Sequence, residues 1–98
     1  MPNGPVPTYT ITVSRPELES IYHLTLESTI KYADKCRVAL ANAHKDPTPL
    51  KYMHERLSER LARATHYASL LNIVSSQRLA DAAYVLTLLP PPKNKPTL

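Results

Sequence analysis

PLKYMHERLSERLARATHYASLLN, residues 49–72, is the stretch on which the fold of this chain turns. At about 100° of rotation per residue, Leu50, Met53, Leu57, Leu61, Ala64, Ala68 and Leu71 fall within one narrow wedge. Such a wedge is the seam by which an amphipathic helix joins a core. Beside it Tyr52, Arg56, Arg60, Arg63 and Tyr67 gather into a second stripe, while Lys51, Glu55, Glu59 and Ala62 take the far face. Two tyrosines bracket three arginines.

The sequence on either side predicts two more helices. Ser14 and Glu17 have the spacing of a capping box, with Pro16 in the first turn, and the apolar pattern then runs to about residue 44, where KDPTP stops it. Leu18, Ile21, Tyr22, Leu26, Ile30, Ala33, Cys36 and Leu40 belong to a face nearly half the helix wide, too broad for one neighbour. Glu27, Lys31, Asp34 and Lys35 lie opposite, with Glu27 and Lys31 spaced as an i, i+4 ion pair. Thr48 and Pro49 give a fresh start signal, Asn72 an end, and Ser75 or Ser76 a cap for a third helix. That helix, through residue 89, has Leu79, Ala82, Ala83, Leu86 and Leu89 on one side, with Val85 and Leu88 elsewhere. This distribution predicts burial on most sides.

Outside the helices, MPNGPVP opens the chain as an extended arm, and Tyr9, Ile11 and Val13 alternate with threonines in a short strand pattern. PPPKNKPTL closes it as a proline-rich tail. The predicted organisation is an arm over 1–14, a helical domain over 15–89 with helices at about 16–44, 49–72 and 76–89, and a tail over 90–98. The fold class is all-α: a three-helix antiparallel bundle with two long helices and one short.

The lengths predict oligomerisation. At about 1.5 Å per residue the helices measure roughly 43, 36 and 21 Å. A third helix that starts beside the end of the second runs out before the turn between the first two. Ala33, Cys36, Leu40, Leu50, Met53 and Leu57 are then left partly uncovered as an oligomer interface, with a symmetric dimer the simplest arrangement. A kinked first helix, or the arm and tail folded over the patch, would serve as alternatives.

Composition narrows the function. Ninety-eight residues make one domain with a modest core, and with neither Phe nor Trp its interior falls to Leu, Ala and Tyr. The single cysteine, Cys36, has no internal disulfide partner. No basic-then-apolar leader opens the sequence and no apolar run approaches the roughly 20 residues that cross a bilayer. A soluble, cytoplasmic chain without membrane contact is the expectation. Of the net charge of +4, half sits in residues 48–72 and half in 73–98, milder than the dense clusters of strongly basic nucleic-acid binders.

No catalytic constellation stands out. Cys36 lies on the core face, His54 and His66 sit about 120° apart around their helix, and His23 with Glu27 offers only one edge of a metal site. Neither an enzyme nor a metal or cofactor is expected. The stripe of Tyr52, Arg56, Arg60, Arg63 and Tyr67 is the candidate ligand face: guanidinium forks suit phosphate or carboxylate, and tyrosine faces suit a base or another guanidinium. The same positions also admit a structural role, with the tyrosines packed at the seam and Glu59 paired to Arg63. Two functions follow. The first is a non-catalytic, oligomerising protein-interaction module, an adaptor or inhibitor that binds itself and a larger protein. The alternative is a nucleic-acid or nucleotide binder using the Arg/Tyr face.

Overall fold

Ser14 sets the start of the first helix. Its Oγ accepts the Glu17 N–H at 3.2 Å, and its own N–H donates to Glu17 Oε1 at 2.8 Å, so the box satisfies two otherwise orphan donors. A computed structural model describes residues 12–74 and 76–91. Within them α1 spans Arg15–Ala41, α2 Leu50–Leu71 and α3 Gln77–Leu88, and there is no strand among the described residues. The strand pattern over 8–13 lies mostly outside the described residues; Thr12 and Val13, which are described, belong to no strand. Ser75 and the tail beyond residue 91 lie outside them too.

The boundaries have local causes. α1 ends at Ala41, earlier than its apolar pattern, with Asn42 at its cap: the Asn42 backbone N–H and its Nδ2 both donate to the Val38 carbonyl at 3.1 Å. Thr48 does not cap α2 with its side chain. Instead Asp46 Oδ1 accepts the Thr48 N–H at 3.0 Å, and Leu50, Lys51 and Tyr52 donate three residues back to Pro47, Thr48 and Pro49, a tight entry turn that satisfies the first donors. α2 closes in a left-handed Asn72 at φ 57°, with Asn72 N–H on Ser69 and Ile73 N–H on Ala68, a Schellman pattern. Ser76 Oγ caps α3 by accepting the Leu79 N–H.

Each helix packs against the other two. Arg15 Nη2 donates to the Leu71 carbonyl at 3.1 Å and Thr29 Oγ1 reaches the Arg60 carbonyl at 3.4 Å. The start of α1 thus lies beside the end of α2. The whole wedge from Leu50 to Leu71 is buried, together with Tyr22, Leu26, Ala33 and Cys36 of α1 and Leu79, Ala82 and Val85 of α3. Val85 is central to the packing of α3, whereas Tyr84 and Leu88 are exposed. α3 is therefore amphipathic rather than buried on most sides, and its core stripe passes through 79, 82, 85 and 89.

The uncovered surface is not where the helix lengths put it. Ala33, Cys36, Leu50, Met53 and Leu57 are buried within the single chain and Leu40 is half-buried. The reason is where α3 lies on α1. α3 does not begin beside the end of α2; Arg78 in its first turn makes a two-pronged ion pair with Glu27, at 2.8 and 3.0 Å. From Arg15 to Glu27 α1 rises about 18 Å. So displaced, α3 runs along α1 past Ile30, Ala33 and Arg37, and covers the half of the helix pair next to its turn. Ile21, Leu70, Ile73 and Val74 are exposed at the opposite end, the last 93%, while Val38 and Tyr52 near the turn and Tyr84 and Leu88 on α3 are exposed as well.

Candidate functional site: a cationic groove between the first two helices

α1 and α2 leave a groove on the side of α1 turned away from α3. The positions of α1 that meet α3, Ile30, Ala33 and Arg37, and those that line the groove, Leu24, Ser28 and Lys35, lie roughly half a turn apart around the helix. One part of the groove, about 490 Å³, is bounded by Leu24, Thr25 and Ser28 of α1 and Arg56, Glu59, Arg60 and Arg63 of α2. The adjoining part, about 440 Å³, adds Glu27, Lys31, Tyr32 and Lys35 and shares Arg60.

All three arginines of the predicted stripe meet here. Arg60 lies over the Tyr32 ring, 4.4 Å from its centre, while Lys35 stands at 6.0 Å from the same ring and Arg56 at 5.8 Å from the ring of Tyr52. Tyr52 is 56% exposed and extends the stripe beyond the groove. Tyr67 does not join it. Its ring is half-buried at the edge of the core, tilted against His66. Lys31, Tyr32, Lys35 and Leu24 were not legible as site residues, because the periodicity of α1 shows which side is apolar but not which polar flank borders α2.

Charge pairing departs from the sequence expectation in a way that leaves the groove more positive. Neither Glu27 with Lys31 nor Glu59 with Arg63 forms an ion pair. Glu27 turns to Arg78, whose guanidinium holds its carboxyl below the ordinary carboxylate range, with Lys31 and His23 making smaller contributions in the same direction. Among the described residues, Lys31, Lys35, Arg56, Arg60 and Arg63 make no ion pair; Arg60 spends one donor on the Arg56 carbonyl at 3.4 Å. Five cations share the groove with one other carboxylate, Glu59. Unit charges about 6 Å apart in water repel by about 0.7 kcal/mol, so an anion placed among these heads relieves repulsion as well as adding attraction.

The other titratable groups lie outside the groove. Burial pushes the Cys36 thiol above its ordinary range, against smaller opposite pulls from Lys35 and Arg60, which suits a core filler more than a nucleophile. Among the described residues no three His, Cys, Asp or Glu side chains come together. None of the described helices is long and apolar enough to cross a membrane.

No protein-family profile, curated protein or solved structure matches this chain.

Proposed function

We propose that this chain is a non-catalytic interaction module, an adaptor or inhibitor, that holds an acidic protein partner in the groove between α1 and α2. The observation that carries the reading is the set of five cationic heads without ion-pair partners among the described residues, contributed by two helices to one surface. Arginine forks bind carboxylates in pairs, and two walls of like charge favour a partner that fits between them. The architecture that accompanies this reading is an antiparallel three-helix bundle, supported by the Arg15–Leu71 and Thr29–Arg60 hydrogen bonds.

A nucleic acid or nucleotide is the second reading, since phosphates suit the same heads. It is the weaker one. Sequence-tolerant binding of single strands relies on open aromatic faces, whereas Tyr32 and Tyr52 already carry cations from this chain on their rings. Fluorescence anisotropy with labelled polyglutamate, a single strand, a duplex and a panel of nucleotides separates the two. Polyglutamate should bind at low salt and release toward 0.15 M, where the screening length shrinks to about 8 Å. The triple variant Arg56→Ala, Arg60→Ala, Arg63→Ala should abolish binding. A single strand that displaces polyglutamate would transfer the groove to nucleic acid.

Self-association belongs to the same proposal, moved to the end of the molecule where Ile21, Leu70, Ile73 and Val74 are exposed. Light scattering at high micromolar concentration should give more than the single-chain mass, and Leu70→Glu with Val74→Glu should return it to one chain. A parent protein of single-chain mass removes this part.

A further inference from the structure

We infer that the partner segment seated in the groove is an acidic amphipathic helix, lying along α1 and α2 and carrying carboxylates at i, i+4 and i+7. This rests on the groove being a site for an acidic protein, and adds the shape of what enters it. Arg56, Arg60 and Arg63 stand at i, i+4 and i+7 of α2, in steps of about 6.0 and 4.5 Å along its axis. Lys31 and Lys35 stand at i and i+4 of α1 on the facing wall. A helix laid along the groove repeats its side chains with the same steps, so its carboxylates meet the arginine row by geometry. An extended chain does not. It advances about 3.3 Å per residue and presents one side every 6.6 Å, so it meets Arg56 and Arg60 but misses Arg63 by roughly 3 Å.

Leu24 supplies the apolar part of the recognition. It is 73% exposed and lines both parts of the groove. The Thr29–Arg60 hydrogen bond fixes the level of the two helices, and Leu24, over one turn before Thr29, stands near the Arg63 end. The partner helix therefore places an apolar side chain just beyond the carboxylate that meets Arg63. Two helices with a third in the groove between them reproduce, on this side, the packing that α3 makes on the other.

The test uses the full chain and three labelled peptides of identical composition. One carries glutamates at i, i+4 and i+7 with a leucine beyond the last, one has them scattered around the helix, and one has the first pattern interrupted by a central proline. The first peptide should bind roughly tenfold tighter than either of the others, gain helical circular dichroism on binding, and lose that advantage with Leu24→Ser. Equal binding of all three peptides would overturn the helix while leaving an acidic partner in place, and no binding by any peptide or by polyglutamate would remove both.

Discussion

The Arg60 guanidinium stands 4.4 Å from the centre of the Tyr32 ring and so ties α2 to α1 across the floor of the groove. An exposed cation over an aromatic face contributes about 0.5–1 kcal/mol. Tyr32→Phe keeps the face and should leave stability unchanged, whereas Tyr32→Leu should lower it by about that amount beyond the phenylalanine variant. Urea unfolding of the three proteins measures the difference. Equal midpoints for the Phe and Leu variants would mean that the stacking contributes nothing.

Leu57 has no accessible surface in the single chain. Leu57→Ala should cost about 2–5 kcal/mol, the range for a large-to-small change in a packed core. The unfolding midpoint should not move with protein concentration, because the side chain is buried by its own chain. The neighbouring Cys36 is equally enclosed, so its thiol should react with a disulfide reagent only as fast as the chain opens. Fast reaction in the folded protein would contradict the packing of α3 over this half of α1 and α2.

Asn72 closes α2 with φ 57° and ψ 47°. Asparagine tolerates that left-handed conformation better than other residues with a Cβ, and glycine better still. Asn72→Ala should destabilise by about 1 kcal/mol, while Asn72→Gly should be neutral within a few tenths. Thermal melts of both decide it; equal losses would mean that the side chain, not the dihedral, matters.

The seam of α2 was readable because its apolar residues follow a single helical period, and every one of Leu50, Met53, Leu57, Leu61, Ala64, Ala68 and Leu71 is buried. The capping box at Ser14 and the end of α2 at Asn72 were readable because each is a local event. The position of α3 was not. It depends on the ion pair between Glu27 and Arg78, fifty-one positions apart, which no periodicity encodes. The same displacement explains why the predicted interface is covered. It also explains half of the groove: Lys31 loses the partner that i, i+4 spacing assigned to it because Arg78 takes that carboxylate.

That exchange has its own consequences. Glu27 titrates below its ordinary value of 4.5 because of the Arg78 hydrogen bonds. Glu17 is lowered by Ser14 and Asp46 by Thr48. With a folded-state pKa below the unfolded one, the unfolded chain binds more protons in the window between them, so stability rises with pH through that window. The contribution is present above the ordinary carboxylate range and is lost as pH falls through the folded-state values. Glu27→Gln should flatten the acid limb of a stability-against-pH curve. Arg78→Ala should also weaken polyglutamate binding about two- to threefold, because it frees the Glu27 carboxylate at the groove wall and partly cancels Lys31. Unchanged binding in Arg78→Ala would mean that Glu27 does not act on the groove.

The most direct test of the groove as the working surface is an amide chemical-shift titration of the full chain with polyglutamate at low salt. The groove account predicts shifts that cluster at Leu24, Ser28, Lys31, Tyr32, Arg56, Arg60 and Arg63, and a quiet α3 around Leu79 and Val85. Shifts centred on α3, or spread evenly over every lysine and arginine, would contradict it.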